Sequence, residues 1–185
     1  MKKIKYMICV IMAMVLLAGC GTTSSLKSTK GSKFNFETSK KFSDVIVKKF
    51  SSNVSETDTT KDKIDWACNY FADIIANKIK EKAVFQKVSR DGTPTNSTLV
   101  ISGEIIKYIT GDPLLRAFIG LGAGSSYFDA VVHFFDGSTN QLIGSIDVNR
   151  NSWILGGVIA ATQDPEGYMK EGAKKISQEV TKLAQ

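Results

Sequence analysis

The sequence predicts a two-layer α+β domain, an antiparallel sheet of about four strands covered on one face by two amphipathic helices. Three observations predict it. Residues 99–150 contain three alternating apolar and polar runs. Residues 61–82 and 165–183 each carry one apolar stripe at helical spacing. A length of 185 residues, 43% hydrophobic and 23% charged, supplies a core of ordinary size for a single domain.

Each element has a local cause. A strand is expected near Phe42–Phe50, centred on Val45, Ile46 and Val47. The polar stretch Ser51–Thr60 leads to a helix over about Lys61–Lys82, because Ile64, Cys68, Phe71, Ile75 and Ile79 fall on one face. Trp66, Tyr70 and Ile74 widen that stripe or begin a second one. Phe85–Val88 reads as a short strand, and Asp91-Gly92-Thr93-Pro94 as a turn. Leu99, Ile101, Ile105 and Ile109 mark the inner side of the next strand. Phe128, Ala130, Val132 and Phe134 do so for a strand over 127–135, and Leu142, Ile146 and Val148 for one over 142–150. Residues Asp136–Asn140 join these two as a hairpin. Asp164 as N-cap, Pro165 at the first helical position and Glu166 near the positive end of the dipole begin the last helix. Its buried stripe is Met169, Ala173, Ile176, Val180 and Leu183.

The N-terminus has the parts of an export signal. Lys2, Lys3 and Lys5 precede an apolar run from Met7 to Leu17, which is too short to span a bilayer and ends in Leu17-Ala18-Gly19-Cys20. This ending resembles the bacterial lipoprotein box. The resemblance implies that the Cys20 sulfur receives diacylglycerol, that the signal is cut before it, and that the new amino group is acylated. The domain limits are then 1–19 for the signal peptide, 20–33 for the lipidated cysteine and a flexible tether, and 34–185 for the globular domain. Acyl chains worth ~0.8 kcal/mol per buried methylene hold such a protein on a membrane durably. Gly21 stands where enteric bacteria place an aspartate to retain lipoproteins at the inner membrane. The expected address is therefore the periplasmic face of the outer membrane, in a host that has one.

Loss of residues 1–19 removes three lysines, and the formal charge falls from +6 to +3 (6 − 3 = 3). That balance points to no nucleic-acid partner. With Cys9 removed and Cys20 blocked, Cys68 is the one thiol left, so no intramolecular disulfide is expected. Its place on the apolar helix face marks it as a core residue. One histidine and three cysteines argue against a multi-ligand metal site, and no cofactor is expected.

The unusual segments are the loops. Residues Asp112–Ser126 contain Arg116, Gly120, Gly122 and Gly124 among Leu, Phe, Ile and Ala, and the last strand is followed by Trp153, Gly156 and Gly157 among further apolar residues. If the three strands form a meander, both segments leave the same end of the sheet. Loops are normally polar. Two readings stand: this end contacts an apolar surface (a protein partner, another copy, or lipid), or both segments fold back and plug the core. Arg116 is expected to pin its loop by pairing with Asp112 or Glu104, or to contact an anionic partner group. A dinucleotide site is not expected, since Gly120-x-Gly122-x-Gly124 runs into a strand rather than a helix.

Arg116, the run Gly120–Ser125, the following alternating strand and the Asp136-Gly137-Ser138-Thr139 turn resemble the bacterial lipoproteins of the domain-of-unknown-function 4410 family. The resemblance extends over roughly Phe42–Leu183, with Leu121 where members often carry an aromatic. It implies a cell-envelope address and a fold, and no established activity.

Catalytic residues are not apparent. Ser125, Asp129 and His133 supply the residue types of a triad without a nucleophile elbow or ordered spacing. Asp62, Asp65 and Asp73 sit among lysines as a solvated face. The function expected is that of a membrane-anchored, non-catalytic envelope lipoprotein acting as a protein-interaction or assembly module. The alternative is a small-ligand or lipid-binding module, or a hydrolase using His133.

Overall fold

The computed structural model describes residues 24–28, 36–54, 59–119, 121–152 and 161–185. The expected signal peptide and Cys20 lie outside the described residues, as do Gly120, Trp153, Gly156 and Gly157. Elements follow in the order β1 (Ser24–Ser28), β2 (Asp44–Val47), β3 (Ser51–Ser52), α1 (Lys61–Lys80), β4 (Lys87–Ser89), β5 (Thr98–Ile109), α2 (Pro113–Phe118), β6 (Tyr127–Asp136), β7 (Leu142–Asn151) and α3 (Pro165–Val180). A 3-10 turn at Thr181–Leu183 follows α3, and Ala184 then bridges to Phe42.

The α+β class holds, with a larger sheet than expected. Strand order is β1-β7-β6-β5-β2-β4, and β3 also pairs with β5. The sheet is mixed rather than antiparallel. β5, β6 and β7 form the expected antiparallel meander, whereas β2 runs parallel to both β4 and β5. Parallel neighbours need a crossover, and α1 between β2 and β4 supplies it. A further difference lies at the other edge. Ser24–Ser28, read from the sequence as tether, pairs antiparallel with β7.

α1 and α3 cover one face of the sheet. Phe71, Ile75 and Ile79 from α1 and Met169, Ala173, Ile176 and Val180 from α3 are buried with Val45, Val47, Ile101, Phe128, Val132 and Ile146 in one core. The helix stripes are as expected except that Trp66 is exposed. Asp164 caps α3 by accepting from the Gly167 N–H at 2.7 Å.

Two β-bulges overturn details of the alternation. A shift between Ile105 and Lys107 exposes Ile106, buries Tyr108 and turns Ile109 away from the core. A second, opposite Phe134–Phe135, buries Ile143 and leaves Leu142 exposed. In each case the extra residue reverses which parity faces inward.

Candidate functional site

The described residues of the first glycine-rich segment form a tip that holds apolar side chains in solvent. Between β5 and β6 the chain forms α2, which was not expected from the sequence. Asp112 caps it, its carboxylate accepting from the N–H groups of Leu114 and Leu115 at 2.8 and 3.2 Å, and Pro113 occupies its first turn. A single turn and a half of helix then presents its apolar residues outward. Leu114 is 68% exposed, Phe118 85%, Ile119 61% and Leu121 82%.

Arg116 faces the opposite way and is only 3% exposed. Its Nη1 donates to the carbonyls of Gly124 (2.7 Å) and Thr110 (3.1 Å), and its Nη2 to those of Gln163 (3.0 Å) and Ala161 (3.4 Å). The expected pinning role is thus performed on backbone carbonyls rather than through the carboxylate of Asp112, which caps the helix. A planar guanidinium suits this task because its donors diverge in fixed directions. It ties the start of the loop, the end of the loop and the segment entering α3 to one side chain.

Glycine is required where the backbone closes on this cation. Gly111 has φ +64°, and a Cβ there would lie 2.2 Å from the Gly124 carbonyl oxygen and 2.5 Å from Arg116 Nη1. Gly124, at φ +66°, would place a Cβ 2.5 Å from the Asp112 carbonyl oxygen. Gly122 adopts φ +90° in the turn after Leu121, and Ser125 Oγ donates to its carbonyl at 2.7 Å. Gly111 escaped the sequence reading, although the Gly111-Asp112-Pro113 run carries a turn signal.

A buried polar layer supports the tip. Ser126 Oγ donates to the Gln163 carbonyl and meets the Tyr168 hydroxyl, both at 3.1 Å. Ser152 Oγ accepts from the Ser126 N–H at 3.1 Å, while the Ser152 N–H donates to the Ser126 carbonyl. Burial pushes the Tyr168 phenol up, keeping it a neutral donor. Tyr108 nearby is pushed up to about 12, chiefly by burial and further by the Glu166 and Asp164 carboxylates. None of Ser126, Ser152 and Tyr168 could be singled out from sequence, because their hydroxyls matter only once β6, β7 and α3 meet. The second glycine-rich segment leaves β7 beside this layer and returns at Ala161, so its two described flanks share this end of the sheet.

The other candidates are not brought together. Ser125 lies in the turn, while Asp129 and His133 sit four residues apart on β6, a separation of ~13 Å along a strand. His133 faces Ser102 and Ser145 on the neighbouring strands, and its Nδ1 has no hydrogen-bond partner among the described residues. Burial raises the Asp129 carboxyl above its ordinary value, against opposing effects of the Arg150 backbone hydrogen bond and Lys107. Cys68 is buried, with its thiol pushed up by burial and donating to the Ser51 carbonyl. Beside it runs an open groove of about 720 Å³ lined by Lys49, Ser51, Val54, Asp65 and Trp66. Among the described residues, no group of three His, Cys, Asp or Glu side chains is placed to hold a metal. No described helix is long and apolar enough to cross a membrane.

The family model described as "Domain of unknown function (DUF4410)" matches residues 26–156. The chain belongs to this family. The match spans both the meander and the tip, and begins within β1. No curated protein matches the chain. Among solved structures, it is similar to the PelC dodecamer from Paraburkholderia phytofirmans, with a TM-score of 0.57 at 12% identity. It is likewise similar to a point variant of that dodecamer, with a TM-score of 0.55 at 15% identity. Each alignment covers 88% of this chain and 100% of the other. At these identities the likeness is one of fold.

Proposed function

We propose that this DUF4410 protein is a lipid-anchored bacterial envelope lipoprotein without a catalytic role, an interaction and assembly module that meets an apolar surface through its glycine-rich end. The observation that carries this reading is the set of four strongly exposed apolar side chains on a tip stiffened from beneath by Arg116. A soluble surface gains nothing from holding Phe118 and Leu121 in water, and a rigid apolar projection is what a docking contact uses. The lipoprotein-box resemblance at Leu17-Ala18-Gly19-Cys20 supports the anchor and the envelope address, with Gly21 favouring the outer membrane. The shared fold with the PelC dodecamer supports action as several assembled copies.

Two measurements in cells test the reading. Cys20→Ser is expected to abolish palmitate incorporation and release the protein from the membrane fraction; unaltered fractionation removes the anchor. With Leu121 replaced by photoreactive benzoylphenylalanine, illumination should yield adducts with protein or lipid. A yield no higher than that of the same replacement at exposed Thr139 removes the docking role.

A further inference from the structure

The occupant of the apolar tip follows from where the chain enters the sheet. In the β1–β7 ladder Ser24 pairs with Arg150 and Ser28 with Ile146. β7 finishes at Asn151 opposite Tyr127, the first residue of β6 after the glycine-rich loop. Ser24 therefore lies at the same end of the sheet as α2. Cys20 precedes Ser24 by four residues, which span at most ~14 Å even when fully extended. The hairpin at the other end, after Asp136, is a ten-residue strand away, ~30 Å.

Resting on the reading of Cys20 as the lipidated residue, we infer that Leu114, Phe118, Ile119 and Leu121 are seated in the interface of the bilayer that holds the anchor. Acyl chains joined within ~14 Å of the sheet's glycine-rich end keep that end, and not the hairpin, against the membrane. The tip has the chemistry of an interfacial contact. Its apolar residues project outward from a short helix and turn, while its one cation, Arg116, is withdrawn onto backbone carbonyls. At the same end Lys107 Nζ stands 4.0 Å from the centroid of the Tyr127 ring. A tyrosine and a lysine that present apolar bodies and polar ends suit the headgroup level. Insertion of such a surface reaches ~5–10 Å, to the boundary between headgroups and acyl chains. The lipid foot and the tip then form two contacts with one bilayer, which fixes the orientation of the domain as well as its location.

The test uses the full lipoprotein reconstituted into phosphatidylcholine–phosphatidylglycerol vesicles, some carrying bromine on the acyl chains. An environment-sensitive fluorophore is attached at Phe118→Cys, or at Thr139→Cys on the distal hairpin; buried Cys68 does not compete for label. The probe at 118 should emit to the blue and be quenched severalfold more by brominated lipid than the probe at 139. Equal, weak quenching at both positions overturns the inference. So does a blue shift at 118 that grows with protein concentration and ignores bromine, which would assign the tip to a second copy. The intact mass separates the two failures: a protein without acyl chains refutes the anchor, whereas an acylated protein with a water-exposed probe at 118 refutes only the seating of the tip.

Discussion

Arg116 supplies buried donors to four backbone carbonyls under a loop, and its energetic weight follows from that position. Arg116→Met keeps much of the side-chain volume but removes the guanidinium donor to the Thr110 carbonyl, and leaves the Gly124 and Gln163 carbonyls only the Asp112 N–H and the Ser126 hydroxyl. The expected loss is about 2–3 kcal/mol in urea denaturation, with an unchanged slope; a change under 0.5 kcal/mol, on the order of a typical surface substitution, would show that the guanidinium is incidental. At the far end of the sheet Asp136 offers a titratable counterpart. Lys40 Nζ donates to both its carboxylate oxygens at 2.7 and 2.8 Å, and this contact, with help from Ser138, holds the carboxyl at about 2 against its ordinary 3.8. A depressed folded-state value means stability that is present above the unfolded pKa and is lost as pH falls through the folded one. Lys40→Met should therefore destabilise the domain by about 1 kcal/mol at neutral pH, since Lys40 is partly exposed to screening solvent. The deficit should shrink as pH falls from about 5 to about 2, which thermal melts across that range will show.

The elements differ in how plainly the sequence announces them, and the reason is the number of residues that repeat a signal. Helices α1 and α3 each carry four or more apolar residues on one stripe, and β6 alternates without interruption, so all three are legible. Asp112-Pro113 carries the same cap signal as Asp164-Pro165, yet only the latter is followed by a long stripe. A six-residue helix is too short to show a period, so α2 had to be seen. Bulges are harder still, because one inserted residue such as Ile106 leaves the composition unchanged and reverses every later side chain. The shortness of α2 also makes its cap decisive. Asp112→Ala should lose about 1 kcal/mol of stability and loosen residues 112–121 first. Hydrogen exchange would register this as faster exchange at Leu114 and Leu115, with β5 and β6 unaffected; uniform acceleration throughout the domain would argue that α2 is not a separately held unit.

For the whole molecule, the illegible quantities were pairing direction and the fate of the segment before residue 34. Apolar runs show that β2 is a strand but not which way its neighbours run, and the parallel pairings depend on α1 carrying the chain back over the sheet. Ser24–Ser28 has one large apolar residue, Leu26, among three serines and a lysine, and composition alone reads it as flexible. Backbone pairing needs no apolar side chain, and the β7 edge offers donors and acceptors whatever residues arrive. That pairing changes the geometry of the proposed anchorage. A free segment from Gly21 to Lys33 would allow a root-mean-square reach of about 20 Å in any direction, whereas β1 leaves only Gly21, Thr22 and Thr23 between Cys20 and the sheet. With Cys20 lipidated as proposed, the domain would be held close to the bilayer and one way up. Amides of residues 25–28 should accordingly exchange several-fold more slowly than in the corresponding free peptide, and protection should extend along residues 146–150 of β7. Exchange of residues 25–28 at unstructured rates would restore the long tether and remove the fixed bearing on the membrane proposed for the glycine-rich end.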